Sequence, residues 1–349
     1  MEILILFKMD RVAIVILNWN GLEYLKSFLG KVVVYSAQKD VSICIADNGS
    51  TDGSAEWIAG HFSDIRLITL DKNYGFAGGY NRALKEIKAT YYVLLNSDIE
   101  VTPGWLDPLT DYMDKNPDVA ACQPKILSYY QRDYFEYAGA AGGFIDRYGY
   151  TFCRGRIFEK TEEDKGQYES DIDVFWASGA CMLVRPEAWE HCGGFDADFF
   201  AHMEEIDLCW RLNRAGYRVV YIHNSTVYHV GGGSLPYDSP FKTYLNFRNS
   251  LYLLYKNLPD KNFHRIMFIR KVLDGLAAIR FLAKRQPGCF RAVFNAHIDY
   301  YKASRVLKKK REEVRKLGSR NYRSPLLNKS VVFEFYINGN RTYKSIFKD

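Results

Sequence analysis

The sequence predicts an α/β fold: a mostly parallel sheet with helices on both faces, followed by a basic and mainly helical C-terminal region. Three observations support this prediction. Apolar runs that do not alternate recur through residues 10–127, segments with helical spacing separate them, and after residue 240 the chain changes to helical segments rich in Lys and Arg. Continuous apolar strands between amphipathic helices are typical of a parallel sheet that is buried on both faces.

The first part of the chain alternates between strands and helices. The five strands are expected at 12–17, 41–46, 65–70, 91–95 and 119–127. The helices are expected at 22–34, 54–62 and 80–87, with a further one opened by Pro103. This order requires crossover connections and therefore favours parallel pairing.

Beyond residue 128 the pattern loosens. Residues 129–170 are rich in Tyr, Gly and charged side chains, which predicts a mobile insertion or loop. A helix is expected at 199–215 and a strand at 219–222. In the tail, two short strand-like pieces within 331–347 flank Asn338-Gly339, a dipeptide that favours tight turns, so a terminal β-hairpin is expected.

The net charge of +6 hides a strong asymmetry. Residues 1–240 carry 22 Lys and Arg against 34 Asp and Glu, whereas residues 241–349 carry 25 against 7, a net charge of +18. Such a split indicates a second part that faces an anionic partner. We do not expect nucleic acid, because this part has no recognisable nucleic-acid module. We expect an anionic membrane surface, contacted through 241–320.

Within that basic part, residues 265–285 interleave apolar and basic side chains, as an interfacial helix does. An ordinary helix packed on the rest of the protein fits the same pattern equally well. The sequence leaves both interpretations open.

The cysteines and the apolar runs bear on the cellular compartment. The seven cysteines are scattered and include no C-x-x-C pair, which argues against a disulfide framework or a structural zinc and for a reducing compartment. The apolar run at 3–7 is too short for the core of a signal peptide, and no uncharged apolar run approaches the roughly 20 residues that span a bilayer. We expect a cytoplasmic protein that can associate peripherally with the inner face of the cell membrane.

Polar side chains follow three of the predicted strands at the point where each strand ends. Asn18-Trp19-Asn20 follows the first strand, Asp47-Asn48-Gly49-Ser50 the second and Asn96-Ser97-Asp98 the fourth. Ligands of open α/β sheets bind outside the carboxyl ends of the strands. The three clusters therefore predict a binding site at this edge.

Asp98 is the predicted metal ligand of these clusters. Its carboxylate can place one hard oxygen on Mg²⁺ or Mn²⁺, which would bridge two phosphates and stabilise the charge of a leaving diphosphate. A simple helix cap fits Asp98 equally well. Asp47 is expected to accept hydrogen bonds from a nucleoside, with plain turn chemistry as the alternative.

A glycine-containing loop spans residues 73–82 and leads into a helix. It fits neither the dinucleotide-binding nor the P-loop pattern. Its glycines still allow close approach of the backbone, and the helix N-terminus attracts phosphate or hydroxyl oxygens.

Three acids, Glu204, Glu205 and Asp207, stand near the start of a predicted helix. Acids are favoured there by the helix dipole, and Asp207 with Arg211 can be a mere surface pair. Two adjacent glutamates beside aromatic residues can instead include one with a raised pKa, which suits a general base.

A lone histidine such as His229 is more often structural than a ligand, so its role depends on whether the fold brings it to Asp98.

In order and spacing, these motifs resemble those of family-2 glycosyltransferases. The resemblance rests on residues 12–20, 46–53, 73–81, 95–98 and 176–183 and on the Glu204-Glu205 helix, and it covers roughly residues 10–255. The branch that it resembles most is that of the bacterial rhamnosyltransferase-like enzymes of cell-surface polysaccharide assembly.

This resemblance implies a GT-A fold and an inverting transfer of a sugar from a nucleoside-diphosphate donor, with dTDP-rhamnose or a UDP-sugar favoured. The expected acceptor is a hydroxyl of a glycan or lipid-linked glycan. Residues 1–240 would form the catalytic domain, with a nucleotide-binding half at about 10–127 and an acceptor half at about 128–240, and 241–349 the basic helical region.

The resemblance also implies roles for single residues. Donor contacts are expected from Asn18, Trp19, Asp47, Asn73, Asn81, Asn96 and Asp98. Asp98 would bind the Mg²⁺ or Mn²⁺, with His229 in the position of a second ligand. Glu205 would be the base, and Glu204 and Trp176 would contact the acceptor.

Two positions depart from the family pattern. Asn96 replaces the first Asp of the Asp-x-Asp motif, and Glu205 replaces an Asp and is one methylene longer. The change at Asn96 keeps open the alternative of a catalytically impaired nucleotide-sugar-binding or scaffold protein of the same fold.

Overall fold

The computed structural model describes residues 9–231, 239–318 and 326–347. The apolar run at 3–7 and the last two residues of the predicted membrane-facing part, 319–320, lie outside the described residues.

Thirteen strands are found in the described residues. In chain order they are β1 (Asp10–Asn18), β2 (Val41–Asp47), β3 (Arg66–Thr69), β4 (Ala89–Asn96), β5 (Ile99–Val101), β6 (Val119–Ser128), β7 (Gly143–Ile145), β8 (Thr151–Cys153), β9 (Arg156–Ile157), β10 (Lys160–Thr161), β11 (Ile172–Asp173), β12 (Cys181–Val184) and β13 (Arg218–His229).

The helices separate and then follow these strands. They are α1 (Leu22–Tyr35), α2 (Ser54–His61), α3 (Gly75–Ala83), α4 (Asp107–Lys115), α5 (Pro186–His191), α6 (Glu204–Arg214), α7 (Pro240–Asn257), α8 (Phe263–Ala283), α9 (Pro287–Lys302), α10 (Ser304–Lys316), α11 (Val331–Tyr336) and α12 (Tyr343–Ile346).

Nine strands form one mixed sheet in the order β11-β13-β6-β12-β4-β1-β2-β3, with β5 paired to β13. Strands β1, β2, β3 and β4 run parallel, whereas β12 is antiparallel to its neighbours β4 and β6. The predicted mostly parallel sheet is therefore confirmed for β1 to β4. The antiparallel strand β12 lies between β4 and β6 and joins this first half of the sheet to the second half.

Helices cover both faces of this sheet. Along β1, Val12, Ile14 and Ile16 point to one apolar core together with α1 and α4, and Ala13 and Val15 point to the other core together with α3 and α6. The continuous apolar pattern follows from this double burial, because a strand that is covered on both faces has no polar side.

A second, four-stranded antiparallel sheet contains β7 to β10. The prediction of a loop at 129–170 is wrong for this part of the chain. Strands of two or three residues carry no readable period, and they are held by long-range packing: Phe152 and Ile157 share a small core with Val331, Phe335 and Ile346.

The predicted terminal hairpin is also wrong. The tail forms the short helices α11 and α12 instead, and Ser330 caps α11 by accepting a hydrogen bond from the backbone of Phe333. Gly339 has φ of 73°, so the Asn338-Gly339 turn is present, but it joins two helices. The apolar residues of the tail are placed by the small core rather than by strand pairing.

Helices α7 to α10 form the basic region, and α7 packs against α6 through buried ion pairs. Asp207 Oδ2 lies 2.9 Å from Arg211 Nη2 and 3.0 Å from Lys256 Nζ, and all three residues are buried. The expectation of a surface pair between Asp207 and Arg211 is wrong, because α7 covers this side of α6. No helix among the described residues is long and apolar enough to cross a bilayer.

Candidate active site

The predicted strand-end clusters meet at one edge of the sheet. In the parallel register, Asn18 lies opposite Asp47, and Leu17 lies opposite Asn96. The amide nitrogen of Asn18 donates to Asp47 Oδ2 at 3.1 Å and to Ser50 Oγ at 3.2 Å. Asn18 is fully buried, and its Oδ1 has no hydrogen-bond partner. A buried amide oxygen without a partner is rare in folded proteins, and this one is able to accept a further hydrogen bond.

The loop from 73 to 81 is shaped by two asparagines. Asn73 Oδ1 accepts from the amide of Asn48 at 3.1 Å and from the backbone of Gly75 at 2.7 Å. Asn81 donates to the carbonyl of Phe195 at 2.6 Å and accepts from its backbone N–H at 3.0 Å. Both amides support the loop, so a direct donor contact by either residue stays a prediction. Trp19, in contrast, is 43% exposed beside the edge.

Asp98 and His229 are brought together from distant parts of the sequence. His229 ends β13 and pairs with Ile99 across β5, which places its Nε2 3.2 Å from Asp98 Oδ1. The other ring nitrogen, Nδ1, lies 3.2 Å from Glu136 Oε2, which is within ion-pair distance but off the line of a good hydrogen bond. All three side chains are buried. His229 is therefore held between two carboxylates.

These charges shift one another's pKa values. Burial alone would raise the pKa of Asp98 and of Glu136, but the positive charge of His229 outweighs it and lowers both. Burial likewise opposes protonation of His229, and the two carboxylates raise its pKa well above the ordinary value. The imidazolium of His229 thus offsets part of the cost of burying the two carboxylates.

Carboxylate oxygen and imidazole nitrogen suit a divalent cation such as Mn²⁺. No group of three or more His, Cys, Asp or Glu side chains in the described part of the chain is arranged to hold a metal by itself. Asp98 and His229 could therefore hold such a cation if a bound diphosphate supplied further ligands, and Glu136 would then be the carboxylate that orients the imidazole.

The two glutamates stand at the start of α6, directly after a strained segment. Phe200, His202 and Met203 have φ of 64°, 68° and 73°, a region that side chains other than glycine rarely adopt. These angles interrupt the helix expected at 199–215, which therefore begins at Glu204. One residue, Asn249 on α7, holds this segment by donating to the carbonyls of Phe199, Ala201 and His202 at 2.9, 2.8 and 2.8 Å.

Both glutamates have an oxygen, Oε2, that is buried without a hydrogen-bond partner. Burial raises the pKa of Glu205 to about 7. Burial and the adjacent Glu205 raise the pKa of Glu204 well above its ordinary value. A carboxyl group that titrates near neutrality and has a free oxygen is able to take up a proton from a bound hydroxyl.

The segment that carries the acid pair lies beside the sheet-edge loops. The backbone of Ala77 donates to the carbonyl of Phe200 at 3.2 Å. A Cβ added at Gly179 would lie 3.7 Å from the Cβ of Glu205, and the next residue, Ala180, accepts a hydrogen bond from the backbone of Asn96 at 2.9 Å. Glu205 therefore lies near the segment 179–180, which is hydrogen-bonded to the end of β4 at Asn96.

Trp176 occupies a different environment. It is 3% exposed, and its indole nitrogen donates to the carbonyl of Phe144 at 3.0 Å. Its ring packs so closely on Gly143 that an added Cβ there would lie 2.1 Å from it. A contact between Trp176 and an acceptor stays a prediction.

Sequence reasoning missed two residues of this region, Glu136 and Asn249. Glu136 lies in the segment that was expected to be a loop, and Asn249 in a helix that was assigned to the basic region. Neither carries a local signal, because each one acts on residues about 50 to 90 positions away along the chain.

Comparison with known proteins finds relatives of one enzyme family. The model of the family "Glycosyl transferase family 2" matches residues 13–193, which is more than half of the chain. N-acetylglucosaminyl-diphospho-decaprenol L-rhamnosyltransferase of Mycobacterium tuberculosis is 28% identical over 235 residues, which cover 63% of this chain and 76% of the relative. Rhamnosyltransferase WbbL of Escherichia coli is 27% identical over 268 residues, 73% of this chain and 97% of the relative.

A third relative, the low-salt glycan biosynthesis hexosyltransferase Agl10 of Haloferax volcanii, is 23% identical over 291 residues, 80% of this chain and 87% of its own. Among solved structures, GalNAc-T7 with UDP, GalNAc and Mn²⁺ matches with a TM-score of 0.60 at 14% identity, over 96% of this chain and 57% of that chain. The mannosyltransferase PcManGT of Pyrobaculum calidifontis with GDP-Man and Mn²⁺ matches with a TM-score of 0.50 at 15% identity, over 89% and 86%.

The two structural matches confirm the expected fold, and the family model confirms the resemblance that the motifs indicated. With rhamnosyltransferases among its relatives and its polar strand ends gathered at one sheet edge, the chain belongs to glycosyltransferase family 2 and has a GT-A fold.

Proposed function

We propose that the protein is an inverting, metal-dependent glycosyltransferase that moves a sugar from a nucleoside-diphosphate donor to a hydroxyl of a glycan or lipid-linked glycan. The observation that carries this proposal is the Glu204-Glu205 pair, which has two buried, unpartnered oxygens and lies beside the loops of the sheet edge. A scaffold would have no need to keep two unsatisfied carboxyl groups side by side, because each one costs stability.

The donor is proposed to bind along the ends of β1, β2 and β4. Asp47 and the free Oδ1 of Asn18 would face the nucleoside, and the exposed ring of Trp19 would stack on its base. dTDP-rhamnose is the favoured donor, because two of the relatives are named rhamnosyltransferases, and a UDP-sugar is the next choice.

Glu205 is proposed as the general base. Its carboxylate takes the proton of the acceptor hydroxyl while the oxygen attacks the anomeric carbon and the bond from that carbon to the diphosphate breaks. Attack from the side opposite the leaving group inverts the configuration at that carbon. Burial and the adjacent Glu205 raise the pKa of Glu204, which favours its protonated form, and that form can donate a hydrogen bond that orients the acceptor.

Asp98 and His229 are the residues that would hold the Mg²⁺ or Mn²⁺. When bound, such an ion neutralises the charge that develops on the leaving diphosphate. The Mn²⁺ of both structural neighbours supports this choice of cofactor.

The acceptor is proposed to be lipid-linked, as the name of the mycobacterial relative states for that enzyme. A lipid-linked acceptor is embedded in a membrane, so the reaction would take place at the inner face of the cell membrane.

Replacement of Glu205 by Gln tests the proposal. We expect Glu205→Gln to lower kcat by at least about 1000-fold, because the amide cannot accept the proton, while donor binding measured by calorimetry in Mn²⁺ stays within about threefold. For the wild-type enzyme, kcat/KM should rise with pH to a plateau with an apparent pKa near 7, since the base acts deprotonated. Glu205→Asp, which restores the family residue, serves as the conservative control. Unchanged turnover of Glu205→Gln would refute the assignment of the base.

Asn96 favours a second candidate, a nucleotide-sugar-binding protein without transferase activity. This function predicts donor binding without either transfer or donor hydrolysis across dTDP-, UDP- and GDP-sugars. The variant Asn96→Asp decides between the two, because it would create activity in an impaired enzyme but only modulate an active one.

A further inference from the structure

The surface after residue 240 is unusually apolar for a basic region. Of the 19 large apolar or aromatic side chains that are exposed in the described residues, 13 follow residue 240. The largest group lies on α8 and comprises Phe268, Val272, Leu276, Ile279 and Leu282, which are 46–69% exposed. Their spacing of four, four, three and three residues places them on one face of the helix. We call this the α8 face.

The buried side of helix α8 is mixed, because it holds the charged Arg270 and Asp274 together with the apolar Met267 and Ala278. The side that faces the protein carries Arg270 and Asp274, whose Nε and Oδ1 lie 2.7 Å apart, and His297 of α9 reaches the second oxygen of Asp274 at 3.2 Å. An ordinary surface helix buries its apolar stripe and exposes its charges. In α8 an ion pair lies inside and a stripe of large apolar side chains lies outside, so packing among residues 9–231, 239–318 and 326–347 does not explain that stripe.

The apolar surface continues onto two neighbouring helices. Lys271 donates to the hydroxyl of Tyr301 at 2.9 Å, and a groove of about 610 Å³ between α8 and α9 is lined in part by Phe268, Val272 and Tyr301. On the other side, Arg280 donates to the hydroxyl of Tyr336 on α11 at 2.6 Å. Contiguous apolar surface of this extent usually marks a site of interaction with a protein or a membrane.

The charge around the α8 face identifies the partner. Arg265, Arg280, Lys284 and Arg285 are exposed on α8 or directly after it. Helix α8 is described in full and has one acidic residue, the buried Asp274. Apolar side chains with a basic border complement a bilayer that contains anionic lipids, whereas two copies of the face would repel each other.

We propose that the α8 face docks on an anionic membrane surface, with the helix lying in the plane of the interface. Its apolar side chains would enter the boundary between head groups and acyl chains, and the flanking Lys and Arg side chains would contact lipid phosphates. Docking would bring the protein to the membrane that holds the proposed lipid-linked acceptor, and to that extent the inference rests on the proposed function. The docking itself requires no transferase activity.

Sedimentation of the full-length protein with vesicles tests the docking. We expect binding to vesicles of 30% phosphatidylglycerol in phosphatidylcholine, weaker binding at high salt, and little binding to phosphatidylcholine alone. The double variant Phe268→Ser/Ile279→Ser should lower the partition coefficient at least about tenfold, because two large apolar side chains no longer enter the bilayer. Val34→Ser is the matched control, since Val34 is 66% exposed on α1.

The contribution of charge is tested separately. Lys284→Gln/Arg285→Gln should weaken binding to the anionic vesicles about tenfold or more, because each basic residue near such a surface contributes roughly fivefold. Lys85→Gln/Lys88→Gln, two exposed lysines in the catalytic part, should leave binding unchanged. Circular dichroism of each variant verifies that it is folded.

Two outcomes overturn the docking proposal. One is that the wild-type protein does not bind the anionic vesicles, or that Phe268→Ser/Ile279→Ser binds them as strongly as the wild type does. The other is a concentration-dependent dimer in light scattering that this variant abolishes, since the occupant of the face would then be a second copy. Transfer to a water-soluble acceptor, measured in parallel, separates the two proposals: transfer without vesicle binding refutes only the docking, and vesicle binding without transfer refutes only the proposed function.

Discussion

His229 illustrates how a single residue acquires a role from its two neighbours. A metal-bound imidazole usually donates its second N–H to a carboxylate, which fixes the ring orientation and the tautomer. Glu136 lies 3.2 Å from that nitrogen of His229 and accepts a hydrogen bond from the backbone of Ala138, so the carboxylate is itself held in place. We therefore predict that Glu136 positions His229.

Glu136→Gln should weaken Mn²⁺ binding in the presence of nucleoside diphosphate by about 10- to 100-fold, because the imidazole loses its orienting charge. Electron paramagnetic resonance of free Mn²⁺ measures this affinity without any turnover. Glu100→Gln is the control, as Glu100 is a buried carboxylate that pairs with Lys31 and Arg132 instead. Equal Mn²⁺ affinity in wild type and Glu136→Gln would contradict the positioning role.

The acid pair has a consequence for stability as well as for catalysis. Burial, and then Glu205, raise the pKa of Glu204 above its value in the unfolded chain. Between those two pKa values the folded state binds more protons than the unfolded state, so the free energy of unfolding falls as the pH rises. The acid pair is thus maintained at the expense of stability above the pKa of Glu204 in the unfolded chain.

Glu204→Gln should therefore be more stable than the wild type by at least about 1 kcal/mol at pH 8, since the amide mimics the protonated acid and needs no charge. At pH 4, where Glu204 is protonated in both states, the two proteins should unfold at nearly equal urea concentrations. Urea titrations at the two pH values measure the difference. A stability gain that is equal at both pH values would show that repacking, not titration, is its cause.

At the scale of elements, the small sheet and the tail form one unit. Asp146 is fully buried between them, and its Oδ1 accepts hydrogen bonds from the backbones of Tyr148 and Tyr150, both at 2.8 Å, while Oδ2 accepts from Val331 at 3.0 Å. This carboxylate joins the turn between β7 and β8 to the first residue of α11. Loss of Asp146 therefore affects both elements.

Asp146→Ala should lower the free energy of unfolding by about 3 kcal/mol or more, because three buried N–H groups lose their acceptor. Thermal unfolding followed by circular dichroism measures the loss. Asp133→Ala, in the same segment but exposed, should change stability by less than about 0.5 kcal/mol. A similar effect of the two substitutions would mean that the contacts of Asp146 contribute little.

At the scale of the whole molecule, the first of the basic helices, α7, supports the segment that carries the acid pair. Asn249 of α7 holds the strained segment before Glu204, and Lys256 of the same helix is buried between Asp196 and Asp207. The charge asymmetry predicts a separate region at 241–349. Its first helix instead completes the support of the acid pair, so the two parts are expected to unfold together.

Lys256→Met tests this coupling. It should lower the free energy of unfolding by about 3 to 5 kcal/mol, because it leaves buried carboxylates without one of their cations. The unfolding transitions seen by tryptophan fluorescence and by far-UV circular dichroism should still coincide. Lys302→Met, which breaks only an exposed pair with Asp299, should cost less than about 1 kcal/mol. Two separate transitions in the wild type would contradict a single cooperative unit.

The sequence by itself determined the parallel first half of the sheet, the helices that alternate with its strands, the family and the edge at which polar residues gather. Each of these features repeats a local pattern: continuous apolar runs for doubly buried strands, and polar triplets directly after them. The clusters at Asn18, Asp47 and Asn96 are therefore predictable as neighbours from the sequence alone, because parallel strands bring their carboxyl ends to a common edge.

Only the tertiary structure decided what lies across the site and what supports it. Nothing near Glu136, Asn249 or Asp146 in the sequence reveals their long-range partners, which are about 50 to 185 positions away. The same holds for the small sheet, whose strands are too short to carry a period, and for the tail, whose turn signal joins helices instead of strands. Local patterns specify which surfaces of an element are buried, whereas long-range packing decides what buries them, and this is why a predicted pair such as Asp98 and His229 needed the fold to bring it together.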